Sequence, residues 1–256
     1  MTNQDIMRIA LQQSAYDCNC APEDFLKSQN LLTLSRKHPL ARSYLPLPVA
    51  CDLVSYGSNI VAQASAELMP VVGDYISRYP VEHCFETPNL YILNDALRIH
   101  GQKVCFMAEY FLPDVDHLRA LPCNFELRVL HPHDFQNLYG GAWRNALSEN
   151  RSDLDALAVG AYDGGRLIGL AGCSADCETM EQIGVDVLPD YRRRGVASAL
   201  TSRLALEILN RGKVPFYCAA WSNIKSVRNA IRSGFRPAWA ELTARSIEWI
   251  EEMNRT

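Results

Sequence analysis

Several things are missing from this sequence, and each absence removes a class of protein. No stretch approaches the ~20 consecutive apolar residues of a membrane span. The opening residues, Met1-Thr2-Asn3-Gln4-Asp5-Ile6, have neither a basic segment nor an unbroken apolar one to act as a secretion signal. The expectation is a cytoplasmic protein without a membrane partner. Strong charge of one sign is lacking too: 25 basic and 29 acidic side chains leave a formal net charge of -4. Nothing in that balance attracts nucleic acid, so no nucleic-acid partner is expected and any basic site has to be local. Low-complexity and long charged tracts are also absent, which confines expected disorder to the termini.

Paired metal-binding knuckles are missing although cysteine is plentiful. The nine cysteines are an odd number, so a complete set of intramolecular disulfides is impossible. In a cytosolic setting they read mostly as buried thiols. Cys18-x-Cys20 and His83-Cys84, with Cys105, lack the second knuckle that structural zinc sites carry, and no metal is expected.

What is present suits a packed core. The chain has 256 residues and is 48% hydrophobic, enough for one large domain or two modest ones. Prolines and acidic residues interrupt the apolar pattern between Leu112-Pro113-Asp114 and Leu121-Pro122-Cys123-Asn124, which places a division at about residue 120. The expected domains are therefore 1–120 and 121–256.

In the second half, Glu126 to Leu130 alternates as a strand, and His131 to Asp134 reads as a turn with Asp134 capping a helix. Two helices are expected over 135–147, broken at Gly140-Gly141. Strands follow at Ala156 to Ala161 and Leu167 to Cys173, joined through the hairpin signal Asp163-Gly164-Gly165. Glu181 to Val187 alternates again. From Gly195 the period changes: Ala197, Leu200, Leu204 and Ile208 form a helical stripe that Gly212 ends. A strand Val214 to Ala219, a helix capped near Ser222 and closed at Ser233-Gly234-Phe235, a strand Pro237 to Ala244 and a helix Ile247 to Met253 complete the half. The order β-αα-β-β-β-α-β-α-β describes an α/β fold with a mixed, largely antiparallel sheet.

The chemistry-bearing element is the strand ending at Val187, followed by Arg192-x-x-Gly195-x-Ala197 opening a helix. Unpaired N–H groups at a helix start favour an anion. Glycine lets a phosphate approach the backbone with no Cβ in the way. The competing readings of Arg192-Arg193-Arg194 are a solvated basic patch or a nucleic-acid contact, which would call for more flanking Lys and Arg.

The segment Val185 to Ala197 resembles the central signature of the GNAT superfamily of N-acetyltransferases, [QR]-x-x-G-x-[GA] after an apolar strand. Asn223 and the later Gly234-Phe235 resemble a second signature of that family. The resemblance covers roughly residues 124 to 245, about half the chain. It implies an acyl-CoA N-acyltransferase fold with acetyl-CoA as co-substrate. On that likeness the backbone of Arg192, Arg193, Arg194, Gly195, Val196, Ala197 and Ser198 cradles the CoA pyrophosphate. The main chain at Val185 and Val187 holds the pantetheine arm and polarises the acetyl carbonyl, and Asn223 adds a contact. Some family members have a base at the position of Glu181, which shares a strand face with Val185 and Val187; the alternative for Glu181 is an ordinary strand carboxylate. Glu178 and Asp186 are weaker candidates.

The chain departs from the family at one place that matters. Many members carry a tyrosine, in the helix before Gly-Phe, that protonates the leaving thiolate; here that position is Ala230. Ser226, Ser233, Tyr217 and Cys218 lie nearby, and none inherits the role by motif. His131 and His133 sit in a turn where such domains often meet the acceptor, and Tyr139 and Trp143 follow on elements that roof it, although solvated histidines and core aromatics are the plainer readings.

The first half reads as strands Asn30 to Ser35, Ala50 to Tyr56 and Asn59 to Ala64, helices Glu67 to Tyr79 and Asn89 to His100, and a strand Val104 to Phe111. Asp17 to Pro22 reads as a loop. A faint echo links Thr87-Pro88-Asn89…Gly101 to Trp221-Ser222-Asn223…Gly234. The half is either a degenerate GNAT-like repeat without the phosphate motif or an unrelated α+β domain.

The expected function is transfer of acetyl from acetyl-CoA to a primary amine, on a small molecule or a protein, by direct attack. Cys173, Cys177 and Cys218 have no histidine partner by motif to make them nucleophiles. The alternative is a non-catalytic acyl-CoA sensor, which the missing tyrosine favours.

Overall fold

A computed structural model describes residues 1–255. In chain order the elements are α1 (Asn3–Cys18), β1 (Leu31–Leu34), β2 (Cys51–Ser55), β3 (Val61–Ala64), α2 (Met69–Arg78), α3 (Thr87–Arg98) and β4 (Gln102–Pro113). Then follow β5 (Glu126–Leu130), α4 (Pro132–Phe135), β6 (Asp155–Asp163), β7 (Arg166–Ser174), β8 (Met180–Val187), α5 (Val196–Asn210), β9 (Val214–Ala220), α6 (Ile224–Arg232), β10 (Phe235–Ser246) and α7 (Ile247–Met253). None of the described helices is long and apolar enough to cross a membrane.

The chain forms two compact units, and neither is a single stretch. One comprises Met1–Ala10 with Phe111–Pro237; the other comprises Leu11–Tyr110 with the segment from Ala238 onward. The chain passes between them inside α1, β4 and β10. The division expected near residue 120 falls within the first unit.

In the first unit the strands lie in sequential order β5-β6-β7-β8-β9. The first four pair antiparallel, and β8 pairs parallel with β9. The β6–β7 hairpin turns on Gly164 and Gly165, with φ of 54° and 87°, the left-handed values that a two-residue turn of this kind demands. Helix α5 buries Val196, Leu200, Leu204 and Ile208 against Ile168, Ala171 and Ile183. Each such side chain contributes roughly 1.5–3 kcal/mol when fully buried. The helix closes in a Schellman motif: Lys213 N–H donates to the carbonyl of Ile208 (3.2 Å) and Gly212 N–H to that of Leu209 (2.9 Å), with Gly212 at φ 78°.

The two helices expected over 135–147 are not formed. Helix α4 is a single turn, in which Asp134 accepts from the N–H of His131 at 2.8 Å, and only 3-10 turns at Gln136–Leu138 and Gly141–Trp143 follow. Left-handed backbone at Gly140 (φ 80°) and Gly141 (φ 57°) breaks the helical path.

The second unit has strand order β1-β3-β2-β10-β4, with β1 parallel to β3. Its core joins Leu53, Val72, Ile76, Leu93, Leu97 and Leu242. Both units alternate strands and helices, but this strand order is not sequential, so the likeness between halves does not extend to sheet topology. Residues Asp17 and Cys18, read as loop, end helix α1. Asp17 is ion-paired with Arg42 and accepts from its backbone N–H at 2.8 Å. Burial pushes the carboxyls of Asp52 and Glu241 up.

Candidate functional site

Strand β8 has two unlike edges. Toward β7 it is paired to its end, at Val187↔Gly169. Toward β9 the parallel pairing stops at Ile183↔Tyr217, although both strands run on. The β9-facing edge of residues 184–187 therefore has no strand partner, and a cleft of about 1080 Å³ opens there. Backbone N–H and C=O groups are obligatory hydrogen-bonding groups, so this edge presents them to whatever enters.

The pleat sorts the side chains. Val185 and Val187 pack on the core beneath α5, while Asp186 points to the other face. Its carboxylate accepts from the N–H of Asn145 (2.8 Å), the N–H of Ala146 (3.0 Å) and the side-chain amide of Asn145 (2.6 Å). The sheet beneath is cut away at two paired glycines, one on β7 and one on β8, to admit that segment. A Cβ on Gly184 would stand 1.7 Å from the carbonyl oxygen of Asn145, and one on Gly172 would stand 2.1 Å from that of Ala146. Asn145 and Asp186 thereby form one wall of the cleft.

After Val187 the chain makes a 3-10 turn (Pro189–Tyr191) and enters α5 through Arg193 at φ 63° and Gly195 at φ 79°. Left-handed backbone costs a residue with a side chain about 1–2 kcal/mol, so Arg193 holds a strained conformation at a helix start. No side chain caps α5. The first N–H groups of the helix, through Ser198, consequently lack intrahelical acceptors and give the cleft an electropositive end. The guanidinium of Arg192 ties the turn to the strand, its Nε donating to the carbonyl of Val187 at 3.0 Å.

The far wall is α6 with β9. Asn223 caps α6 by accepting from the N–H of Ser226 at 3.2 Å, and Asn229 Nδ2 donates to Thr201 Oγ1 on α5 at 3.0 Å. Lys225, Arg228 and Arg232 line the cleft from the same helix. With Arg192 and Arg193 they make five cations against one lining carboxylate, Asp186. Among the described residues none of the five has an ion-pair partner. Tyr217, 4% exposed, also reaches the cleft and shares a hydrogen bond of 2.8 Å with Ser226 Oγ. Burial pushes its phenol up from the usual value.

Of the expected binding residues, Val185, Val187, Arg192, Arg193, Gly195, Val196, Ala197, Ser198 and Asn223 line this one cleft. Arg194 does not; its guanidinium lies over the ring of Tyr191 at 5.4 Å. Glu181 is a correction. It is fully buried at the opposite end of β8, where it pairs with Arg211 (3.4 Å) and accepts from the thiol of Cys173 (3.1 Å). The face parity that joined it to Val185 holds, but two residues of strand per repeat carry it too far along the sheet. Cys173 is the donor to that carboxylate, and burial pushes its thiol well up, the reverse of an activated nucleophile. His131 and His133 stack on each other at 6.1 Å, and Tyr139 and Trp143 pack against the small core around Phe135. Ala230 is fully buried. Sequence reasoning missed the cleft roles of Asn145, Lys225, Arg228, Asn229 and Arg232; the spacing 225, 228, 229, 232 is the signature of one polar helix face. Among the described residues no group of three or more His, Cys, Asp or Glu stands together as a metal site.

A family model described as GNAT acetyltransferase matches residues 98–238. Among solved structures the chain is similar to a GCN5-related N-acetyltransferase from Sphaerobacter thermophilus, with 16% identity, 77% of each chain covered and a TM-score of 0.48. A GCN5-related N-acetyltransferase-like protein from Streptococcus suis gives 22% identity over 61% of this chain and 69% of that one, with a TM-score of 0.45. A GCN5-related N-acetyltransferase from Kribbella flavida gives 16%, 62%, 64% and 0.47. The chain thus spans about two thirds of the length of the last two. No curated protein sequence matches it.

Proposed function

The chain belongs to the GNAT acetyltransferase family, and we propose that its cleft transfers acetyl from acetyl-CoA to a primary amine by direct attack of the amine nitrogen. One observation carries this reading: the unpaired edge of β8 runs straight into the uncapped start of α5. Such a cleft offers backbone amide partners along its length and anion-binding groups at its end. That pattern fits a long amide-bearing arm that terminates in phosphates.

Bound acetyl-CoA would supply the thioester whose carbonyl carbon accepts the amine. The N–H groups of Gly195, Val196, Ala197 and Ser198, with Arg192 and Arg193, would hold its pyrophosphate. The β8 edge at Val185 and Val187 would orient the arm and donate to the developing oxyanion, and Asn223 would contact it from the start of α6. Asp186 fixes Asn145 and Ala146 as the wall against which an acceptor would lie.

Two proton movements need an account. A lysine-type amine with pKa ≈ 10.4 is neutral only about once in a few thousand at pH 7, a deficit of ~4.6 kcal/mol. Asp186, the lining carboxylate, already accepts three hydrogen bonds, so the amine gives its proton to water rather than to a side-chain base. On the leaving side, when the carbon–sulfur bond breaks, the thiolate takes a proton from Tyr217. Ser226 supports that hydroxyl, and burial keeps it protonated.

Calorimetry with acetyl-CoA, followed by thiol release on a panel of primary amines, tests the proposal. Micromolar binding with amine-dependent thiol release supports it. Absence of binding at millimolar acetyl-CoA overturns it, and tight binding with no turnover on any amine replaces transfer by sensing.

A further inference from the structure

We infer that the outward face of α3 is a dimer contact, on which a second copy of this chain lies antiparallel about a two-fold axis. The contact is independent of the cleft and of its chemistry.

A helix at the surface of a globular unit normally carries one apolar stripe, turned inward, with polar residues opposite. Helix α3 carries a second stripe. Leu90, Leu93 and Leu97 face inward and are buried in the core with Leu53 and Leu242. On the opposite side Ile92 and Ile99 stand 45% and 83% exposed, and their spacing sets them about two turns apart on one line. Ile99 caps the helix with helical backbone, φ -59° and ψ -30°, so it keeps that line. Tyr91, 64% exposed, flanks it. Single exposed apolar side chains are ordinary, but aligned ones mark a contact surface.

The charges on this face say what covers it. Asp95 lies between the isoleucines and Arg98 lies on the flank, both exposed. Although their spacing would let them pair with each other, neither has an ion-pair partner among the described residues. A two-fold axis passing beside Asp95 and Ala96 brings Ile92 of each copy level with Ile99 of its mate. The same operation puts each Arg98 about 3 Å along the helix axis from the Asp95 of its mate, on the same flank. Apolar pairs and ion pairs then form together from a single face, which is the self-complementarity that an isologous contact requires. A basic partner would meet Arg98 with like charge, and an acidic one would meet Asp95 so. A lipid surface would have to bury the Asp95 carboxylate unpaired. Twelve residues of helix are about 18 Å long, a contact short enough that the dimer is weak and concentration-dependent.

The test is sedimentation velocity of the full-length chain at low salt, from about 10 to about 500 μM. Asp95→Arg and Arg98→Asp are compared with the wild type, singly and mixed in equal amounts, and circular dichroism confirms that each is folded. The wild type is expected to dimerise with a micromolar Kd. Asp95→Arg alone sets arginines against arginines across the two-fold, and Arg98→Asp alone sets aspartates against aspartates, so each should dimerise about tenfold more weakly or worse. Their mixture restores opposite charges and should return to within about threefold of the wild-type affinity. Ile99→Gln should weaken the dimer about tenfold. A wild type that stays monomeric at the highest concentration overturns the inference. So does a dimer that these variants leave unchanged, which would place the contact elsewhere, and so do charge variants that fail to recover when mixed. None of these outcomes bears on acetyl-CoA binding in the cleft.

Discussion

The hydroxyl of Tyr217 on β9 lies 2.8 Å from that of Ser226 on α6, one helical turn before the buried Ala230. A phenol is thus delivered to the cleft from the strand, although position 230 of the helix offers none. Tyr217→Phe should lower kcat by about 10- to 100-fold, at or below the bottom of the range of about 100- to 10,000-fold for general acid–base catalysis, because a thiolate leaves readily. The KM for acetyl-CoA should change little. Since burial raises the phenol's pKa, the protonated acid persists above the usual value near 10. The wild-type rate should therefore fall only at strongly alkaline pH, and that fall should vanish in the variant. A variant with an unchanged kcat would remove Tyr217 from the mechanism.

The Asp186 carboxylate makes a second prediction. Asp186→Asn places an amide against backbone donors at Asn145 and Ala146, and loss of a hydrogen bond to a charged group costs about 1.5–3 kcal/mol. The KM for the amine should rise roughly tenfold with that loss, and acetyl-CoA affinity should stay near the wild-type value. Steady-state kinetics in both substrates separates this from a general loss of fold.

Glu181 should behave as a structural residue. Its carboxylate is buried against Arg211 and Cys173, so Glu181→Gln leaves the guanidinium without its counter-charge. Arg211 is 40% exposed, and water relieves much of that loss. A fall in Tm of a few degrees with an unchanged pH–rate profile is expected. A flattened acid limb of the profile would restore Glu181 as a base.

Much of this was legible in the sequence because it is local. The Arg192-to-Ala197 turn, the stripe of α5 and the Gly164-Gly165 hairpin depend on residues close together in the chain, and each formed where its pattern indicated. Helix α1 escaped notice because its buried apolar residues, Ile6, Ala10, Leu11, Ala15 and Cys18, are interleaved with the buried polar residues Gln13, Ser14 and Asp17, which blurs the apolar stripe. The seating of Asn145 was illegible for another reason: Gly172 and Gly184 look like ordinary strand glycines until the backbone that presses on them is known. Glu181 shows the limit of periodicity, which tells a strand face but not a distance along it. The two-unit division was hidden because α1, β4 and β10 each serve both units.

Asp155, at the start of β6, gives a pH prediction for stability. Burial pushes its carboxyl up to about 6, and it accepts from the N–H of Ser148 at 3.0 Å. Because the folded pKa exceeds the unfolded one, the unfolded chain ionises first as pH rises. Stability from this group is therefore full below about pH 4 and is lost as pH climbs to about 6, by roughly 3 kcal/mol. Asp155→Asn, which keeps an acceptor, should flatten that slope in urea titrations between pH 4 and 7. A slope equal to the wild type's would mean that the carboxyl titrates normally.

The central claim concerns which backbone groups meet the co-substrate, and hydrogen–deuterium exchange with and without acetyl-CoA reads them directly. Protection should appear in two segments, residues 184–187 on the open edge of β8 and residues 195–198 at the start of α5. Binding that leaves both segments exchanging as before would contradict the account.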